Sequence, residues 1–317
     1  MSKEEVVTST PREKRNATIM MLACASLWSI AGIFIKMVPW NPLVIAGGRS
    51  VIAMVVVGGF MAVTRQKIKV TRNAVITALL MMLTFMAFMA ANKLTTSANA
   101  VVLQFTSPIF IMLLSFLLFK QRFRKGDLFT VVFTLFGISL FFLDQLSGGS
   151  LLGNIIAVLS GLILAGMYIA TNRTENESKL TAIFLGHVFT AVIGLPVAFF
   201  VDTPLTSKAV GSILVLGVFQ LGIPYILMAL ASRHCPPLTC NLIGVLEPLL
   251  NPLWVFLFDG EAPGVWALVG GVIVIVTITV WCIWSEKDAA RVRAQQQLAE
   301  EMAQRNRLER EQATQEN

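Results

Sequence analysis

The chain has 317 residues, of which 56% are hydrophobic and 14% are charged, and its mean hydropathy is +0.74. Soluble domains are near half apolar and about a quarter charged, so this composition excludes a soluble enzyme, a disordered chain and a nucleic-acid binder. The net charge of +7 does not change this, because the basic residues lie between apolar runs and not on one face. We therefore predict an all-α integral membrane protein that crosses the bilayer several times.

Apolar segments recur along the chain at the length of about 20 residues that a helix needs to cross a bilayer. We expect the first segment to be retained, because it is longer than the apolar region of a signal peptide. Most of the segments are free of charge, and three of them tolerate one ionisable residue. The ten predicted spans are about 17–37, 43–64, 73–92, 94–119, 128–143, 145–172, 180–201, 209–232, 238–258 and 262–285.

Lysine and arginine are unevenly divided between the two sides of this arrangement. Cytoplasmic loops carry the excess of basic residues, and with the N-terminus inside, 21 of the 25 basic residues fall on the inner side and three on the outer side. Both termini are therefore predicted to be cytoplasmic. The imbalance also argues against a dual-topology antiparallel dimer, whereas a monomer or an ordinary homodimer remains open.

The predicted domains are an N-terminal tail at 1–16, two five-helix repeats at 17–144 and 150–284, and a charged tail at 285–317. The tail has six basic and seven acidic residues and no Gly or Pro, which favours a solvated helix.

A weak internal repeat supports the division into halves. A shift of 140 residues aligns Pro108 with Pro248, and a shift of 138 aligns Arg49 with His187. Transporters are often built from two such halves with inverted topology, and five spans in each half would invert the second half relative to the first.

Four segments resemble the drug/metabolite transporter superfamily, in its ten-helix form with two EamA-type domains. They are Trp28 to Lys36, Arg49, NKLTTSANAVVLQFTSPIF at 92–110 and LIGVLEPLLNPLWVFLFDGE at 242–261. The resemblance covers about 17–284. It implies a bacterial protein of the inner (cytoplasmic) membrane that exports amino acids, other small metabolites or drug-like compounds, usually without ATP. The family usually closes the fourth helix with Glu, whereas this sequence has Gln121 there.

The sequence carries no motif for a cofactor. It has no G-x-x-x-x-G-K-[ST] loop for ATP, no H-E-x-x-H or comparable metal-ligand cluster, and no G-x-S-x-G nucleophile motif. We therefore expect no cofactor, no metal and no enzymatic activity. Energy for transport would come from a proton, sodium or substrate gradient.

Glu247 is the sharpest candidate for a functional residue, because it is the carboxylate deep within a predicted span and it precedes Pro248. Ionisable residues at membrane depth are costly and mark functional sites by default. Glu247 could exchange a proton or hold a substrate amino group, or it could lock a helix kink.

Arg49 and His187 are the other ionisable residues within spans. Arg49 cannot lose its charge, so it could hold a substrate carboxylate, pair with Glu247 or serve in packing. His187 could relay protons, or it could only contact a neighbouring helix.

Polar and aromatic residues near the middle of several spans complete the predicted cavity. Substrate pockets are mostly apolar with a few polar groups, although such polar residues also join helices. These candidates are Trp28, Asn99, Gln104, Tyr168, Gln220, Tyr225, Asn241 and Asn251.

We thus expect a secondary transporter in which two inverted halves rock around a midplane cavity and export small amphipathic metabolites, with amino acids as the first expectation. A passive facilitator, an exporter of drug-like compounds, and a membrane sensor or scaffold that uses the charged tail are the alternatives.

Overall fold

All regular secondary structure that the computed structural model describes is helical. The described residues are 10–30, 34–35, 37–95, 97–121, 123–141, 143, 150–250, 264–266, 268–281 and 283–284. The helices are α1 (Pro11–Trp28), α2 (Pro42–Val63), α3 (Arg72–Leu94), α4 (Ser97–Gln104), α5 (Ser107–Phe119), α6 (Lys125–Phe141), α7 (Leu151–Arg173), α8 (Lys179–Gly194), α9 (Ser207–Val215), α10 (Ile223–Ala231), α11 (Pro237–Gly244) and α12 (Leu268–Trp281). A 3-10 segment, Leu195–Phe199, extends α8, and a π-helical segment, Leu216–Gly222, joins α9 to α10.

Six helical stretches among the described residues are long and apolar enough to cross a bilayer, and they coincide with the second, third, fourth, sixth, seventh and eighth predicted spans. Two shorter apolar helices coincide with the ninth and tenth, and α1 and α6 overlap the first and fifth. The count of ten spans therefore stays a prediction. The six stretches are Pro42–Val63, Arg72–Ala91, Asn99–Phe119, Leu151–Arg173, Lys179–Phe199 and Ser207–Ala231, and the two shorter helices are Pro237–Leu250 and Leu268–Trp281.

The first helix begins earlier than the sequence predicted. The hydroxyl of Thr10 accepts a hydrogen bond from the Glu13 backbone N–H (3.2 Å), and the Glu13 carboxylate accepts one from the Thr10 N–H (2.7 Å). This capping box, with Pro11 at the first helical position, starts a helix at Pro11. Residues 11–16, which were predicted to belong to the tail, are therefore helical. The charged tail at 285–317 lies outside the described residues.

Helix packing joins the predicted halves closely. The third span, α3, packs against α7 and α8; α2 packs against α8 and the π segment; and α1 packs against α10 and α11. The α2–α8 pair lets backbones meet: a Cβ on Gly47 would lie 2.6 Å from the Leu195 nitrogen, and a Cβ on Gly194 would lie 2.5 Å from the Leu43 carbonyl oxygen. Small residues allow such close approach of membrane helices.

Two of the spans are broken at corresponding positions. The helix of the fourth span is interrupted at Phe105 and Thr106, just before Ser107-Pro108, and the ninth is interrupted at Val245, just before Glu247-Pro248. Proline lacks an N–H and clashes with the carbonyl four residues earlier, which breaks an α-helix. The 140-residue repeat therefore reproduces a structural break.

The connection between α7 and α8 is tied to the connection between α2 and α3. The Thr71 hydroxyl donates to Glu175 (2.7 Å), and the Lys69 ammonium pairs with Glu177 (2.8 Å). The hydrogen bond from Thr71 is the main cause that lowers the pKa of Glu175, and the one from Lys69 does the same for the pKa of Glu177. Both carboxylates are therefore ionised at neutral pH, although such exposed pairs add at most about 1 kcal/mol of stability.

The close approach of α2 and α8 predicts opposite effects of alanine at two glycines of the same helix. Gly47→Ala should destabilise the protein by about 1–3 kcal/mol, because the new methyl group meets backbone atoms. Gly59 has no atom within 4 Å of its would-be Cβ, so Gly59→Ala should be neutral or stabilising by up to about 1 kcal/mol. Thermal unfolding of the purified protein in detergent measures both. Equal melting temperatures for the two variants would contradict the predicted contact.

Candidate functional site

A cavity lies in the middle of the bundle, where α1, α2, α3, α7, α10 and the two broken spans meet. The centres of water molecules could occupy about 100 Å³ of it, so it has room for a small molecule. Its lining is mostly aromatic and aliphatic, with a few polar groups, as is typical of ligand sites. The residues that line it are Trp28, Ile35, Arg49, Thr84, Phe85, Phe88, Met89, Gln104, Phe105, Leu164, Met167, Tyr168, Gln220, Tyr225, Asn241, Gly244 and Glu247.

Most of the residues singled out from the sequence border this cavity. Two of them do not, His187 and Asn99, and Asn251 lies outside the described residues. Those that border it are Trp28, Arg49, Gln104, Tyr168, Gln220, Tyr225, Asn241 and Glu247.

Tyr225 is the centre of an aromatic cluster at the cavity wall. Its ring centroid lies 5.4 Å from that of Trp28 and 5.5 Å from that of Phe85, which it meets edge-on. These distances are those of favourable aromatic pairs. Three spans, the first, third and eighth, therefore contribute one ring each to a shared apolar wall.

The Arg49 guanidinium is buried against this wall. Its Nη1 donates to the Gln220 Oε1 (3.0 Å), and its central carbon lies 5.7 Å from the centre of the Phe85 ring. Among the described residues, the Nε of Arg49 has no hydrogen-bond partner. Within this part of the chain, the charge is therefore stabilised by one neutral acceptor and one aromatic face, and further N–H donors remain available.

The partner of Arg49 is presented by an irregular part of the eighth span. Gln220 lies in the π segment Leu216–Gly222, just before Pro224. Such π-helical turns widen the helix and occur frequently at functional sites. In the first turn of α10, directly after this segment, the Pro224 carbonyl oxygen accepts a hydrogen bond from the Cys24 thiol (3.2 Å), which joins the first span to the eighth.

Glu247 borders the same cavity without pairing with Arg49. Within the described part of the chain, no carboxylate oxygen of Glu247 lies within 4.0 Å of an Arg49 nitrogen, and Glu247 has no hydrogen bond to another described residue. It follows the break at Val245 and is half-buried. The direct Arg49–Glu247 ion pair, one of the alternatives from the sequence, is therefore not formed.

The two broken spans are joined beside the cavity. Asn241 Nδ2 donates to the Ser107 hydroxyl oxygen (3.0 Å), and that hydroxyl donates to the Asn241 Oδ1 (3.1 Å). The Tyr168 hydroxyl lies next to Gly244, where a Cβ would come within 3.2 Å of its oxygen.

His187 lies behind the aromatic wall and not in the cavity lining. Its ring stacks on Phe85 (5.9 Å) and meets Tyr225 edge-on (5.6 Å). It is fully buried, and neither ring nitrogen has a hydrogen-bond partner in the described structure.

Asn99 belongs to a polar cluster between α3, α4 and α7. It donates to the Asn154 Oδ1 (3.3 Å), and the Thr95 hydroxyl donates to the same oxygen (2.7 Å). Asn99 therefore joins helices, which is the alternative to a role in the cavity that the sequence left open.

Comparison with known proteins gives the chain a family. Residues 15–143 and 151–282 match the EamA-like transporter family. The chain belongs to this family. The expected resemblance to the drug/metabolite transporters is thus confirmed, and membership indicates membrane transport of small solutes.

Individual relatives of this EamA-like transporter are distant. It is 23% identical over 293 residues to the human protein "Solute carrier family 35 member G1", covering 82% of this chain and 76% of that protein. A solved crystal structure shares its fold with a TM-score of 0.72 and 15% identity, covering 86% of this chain and 98% of the other.

Sequence reasoning missed the contribution of α3 to the cavity of this transporter. Phe85 is not among the cavity residues predicted from the sequence, yet it contacts Tyr225, His187 and Arg49. A signal was present, because the 140-residue shift that aligns the two prolines also aligns Phe85 with Tyr225.

The Arg49–Gln220 contact predicts a difference between two substitutions of the glutamine. Gln220→Leu should destabilise the transporter by about 1.5–3 kcal/mol, because it removes the acceptor from a buried charge. Gln220→Glu keeps an acceptor at this position and should retain most of the stability. Melting temperatures in detergent compare the two variants with the parent protein, and equal losses would show that the hydrogen bond does not hold Arg49.

Proposed function

We propose that this protein is a secondary transporter that exports small amphipathic metabolites, amino acids or closely related compounds, across the cytoplasmic membrane by alternating access and without ATP. The observation that carries the proposal is that Arg49 and Glu247 border one cavity without pairing with each other. A cavity with an unpaired cationic group and an unpaired carboxyl group suits a solute that carries both a carboxylate and an amino group.

On the Arg49 side of the cavity, some N–H donors have no hydrogen-bond partner among the described residues. Arg49 has five N–H donors, of which one binds Gln220, and its Nε has no partner in the described part of the chain. The same holds for the indole N–H of Trp28, a residue of the cavity wall. Buried donors without partners are costly, so a substrate carboxylate would satisfy groups that the protein leaves unsatisfied.

Glu247 supplies the opposite chemistry. An ionised carboxylate accepts hydrogen bonds only, and a protonated one donates as well. Glu247 could therefore hold a substrate amino group or bind the proton that drives transport. His187 is the second proton-coupling candidate from the sequence, but a proton would have to reach it through the wall formed by Phe85 and Tyr225.

The remaining lining suits the apolar part of such a solute. Trp28, Phe85 and Tyr225 present aromatic surfaces, while Gln104, Tyr168 and Asn241 add polar groups. The same aromatic surfaces favour the second candidate function, export of larger drug-like compounds, so the solutes tested must include both classes.

Inverted repeats and alternating access are supported by contacts between residues that the repeat aligns. Phe85 contacts its repeat partner Tyr225, and Arg49 and its repeat partner His187 contact the same Phe85 ring. Partners related by a two-fold axis touch only near that axis, and broken helices at corresponding positions of two halves point to a transport site. Export, the bacterial inner membrane and cytoplasmic termini rest on the family resemblance and the excess of basic residues on one side.

Counterflow in proteoliposomes tests the proposed substrate class. Labelled amino acid should accumulate when unlabelled amino acid is trapped inside, whereas trapped methyl esters of the same amino acids should drive uptake about tenfold less, because they lack the carboxylate that Arg49 would bind. Trapped drug-like amines serve as the competing class. Equal uptake driven by esters or by these amines would contradict carboxylate recognition.

A conservative substitution tests the role of Glu247. Glu247→Gln cannot bind or release a proton, so it should abolish uptake driven by an imposed pH gradient. Counterflow within about twofold of the parent then assigns Glu247 to proton coupling, whereas loss of counterflow as well assigns it to holding the substrate amino group. Glu177→Gln, a carboxylate on the exposed α7–α8 connection, is the matched control and should leave both unchanged. If the Glu247 variant and the parent respond equally to the gradient, Glu247 does not couple protons. If the parent shows no response to pH or sodium gradients, the protein is a passive facilitator.

A further inference from the structure

Helix packing in the described structure groups helices into two units that cut across the two repeats. In the first unit, α7 packs along α3, α4 and α5. In the second unit, α1 packs along α10 and α11, and α11 also contacts α5 and α7, so it lies at the boundary between the two units. Each unit therefore contains one helix from the other repeat: α7 comes from the second half of the chain and α1 from the first.

In the first unit, α3 and α7 contact each other closely near both ends of the two helices. At one end, a Cβ on Gly153 of α7 would lie 2.6 Å from the Leu94 carbonyl carbon at the end of α3. At the other end, the hydroxyls of Thr77 and Thr174 are hydrogen-bonded at 2.9 Å and buried. Close-packed backbones and a buried polar pair at opposite ends prevent α3 and α7 from sliding or tilting against each other.

The second unit is also held together by specific side-chain contacts. The Cys24 thiol donates to the Pro224 carbonyl oxygen (3.2 Å), and Trp28 packs on Tyr225 (5.4 Å). Both contacts join α1 to α10, which lie in different repeats.

The cavity lies between the two units. Thr84 and Phe85 face it from the first unit, and Trp28, Tyr225 and the helical continuation of α11 that carries Glu247 face it from the second. The α2–α8 pair, with its backbone contact, packs against both units, since α8 contacts α3 and α2 contacts the π segment.

At one end of the bundle, polar contacts join the α10–α11 connection to the end of α7 and to the start of α8. The Asn172 amide at the end of α7 donates to the carbonyl oxygens of Ser232 and Cys235, both at 3.1 Å. The buried Lys179 ammonium, at the start of α8, donates to the same Ser232 carbonyl oxygen (2.8 Å). These contacts are to backbone atoms at the α10–α11 connection, and they must open before the cavity can reach that side.

We propose that the bodies that move during transport are these two swapped units, with α2 and α8 as the pivot between them, and not the two sequence repeats. Asn172 and the α10–α11 connection form the gate at one end. The proposal rests on the proposed transport function. Rocking of whole repeats would separate α3 from α7 and α1 from α10, which are extensive packing surfaces. Motion between the swapped units opens the boundary where the cavity already lies, and it separates only the smaller contacts of α11 with α5 and α7, including the Ser107–Asn241 pair.

Two cysteine pairs distinguish the swapped units from the repeats as moving bodies. Thr77→Cys with Thr174→Cys links α3 to α7, within one unit but across the repeats. Asn172→Cys with the native Cys235 links α7 to the α10–α11 connection, across the units but within one repeat. The remaining native cysteines are replaced by Ser, and the pairs are closed by oxidation or by a short bifunctional thiol reagent in proteoliposomes.

The two cross-links should have opposite effects on counterflow. The Thr77–Thr174 link should change the rate by less than about twofold, whereas the Asn172–Cys235 link should lower it by about tenfold or more, because alternating exposure of the site requires the gate to open. Reduction should restore the second rate. If the Thr77–Thr174 link stops counterflow, or the Asn172–Cys235 link leaves it unchanged, the swapped units are not the moving bodies.

A readout that does not depend on the substrate separates failure of this inference from failure of the proposed function. Thr84→Cys, added to each variant, reports access to the cavity by a membrane-impermeant maleimide from either side. Without a cross-link it should react from both sides. With the Thr77–Thr174 link it should still do so, and with the Asn172–Cys235 link it should react from one side. Labelling from one side alone in the protein without a cross-link would overturn alternating access itself, and with it the moving bodies proposed here.

Discussion

The arrangement of the bundle depends on how it keeps one permanent charge at membrane depth. A guanidinium cannot be neutralised by losing its proton, and charges inside a bilayer are expensive, so Arg49 must find acceptors within the protein. The described structure gives it a single amide oxygen, from Gln220, and the face of one aromatic ring. A guanidinium has five N–H donors, so these contacts leave further donors of Arg49 available. The cavity beside Arg49 is the space in which a further hydrogen-bond acceptor could bind.

Irregular backbone supplies what regular helices could not. In a bilayer, every backbone polar group must be satisfied within the protein, and broken helices are tolerated only where they are buried or line a cavity. Three irregular segments, at Phe105, at Val245 and at Leu216–Gly222, lie beside the cavity and close to a proline in the sequence. The prolines therefore determine where the spans are interrupted. The polar side chains Gln220, Asn241 and Glu247 lie in or near these interruptions.

The sequence predicted much of this, for reasons that are specific. Run length and charge spacing are strong signals in membrane proteins, because hydrocarbon excludes polar side chains over a fixed thickness. The six spans that the described helices bear out follow from that constraint. The cavity residues were found where an ionisable or amide group occurs in an apolar span, as at Arg49 and Gln104. Phe85 was missed because a phenylalanine has no polar group to distinguish it in an apolar span, unlike Trp28 or Tyr225, and only its repeat alignment with Tyr225 marks it. The helical residues before the first span were missed because a local capping box starts α1 ahead of the change in hydropathy.

The chemistry of the cavity depends on residues that differ between the two halves of the repeat. A two-fold scaffold brings repeat-aligned positions together, but identical residues at those positions would create two similar poles. Here the aligned pairs differ: Arg49 is aligned with His187, and Glu247 is aligned with Ser107. The cavity therefore has a cation from the first half and a carboxyl group from the second, while the repeat-aligned pair Phe85 and Tyr225 contact each other at its wall. This difference between the halves gives the cavity two chemically unlike ends, which suits the proposed solute with a carboxylate and an amino group.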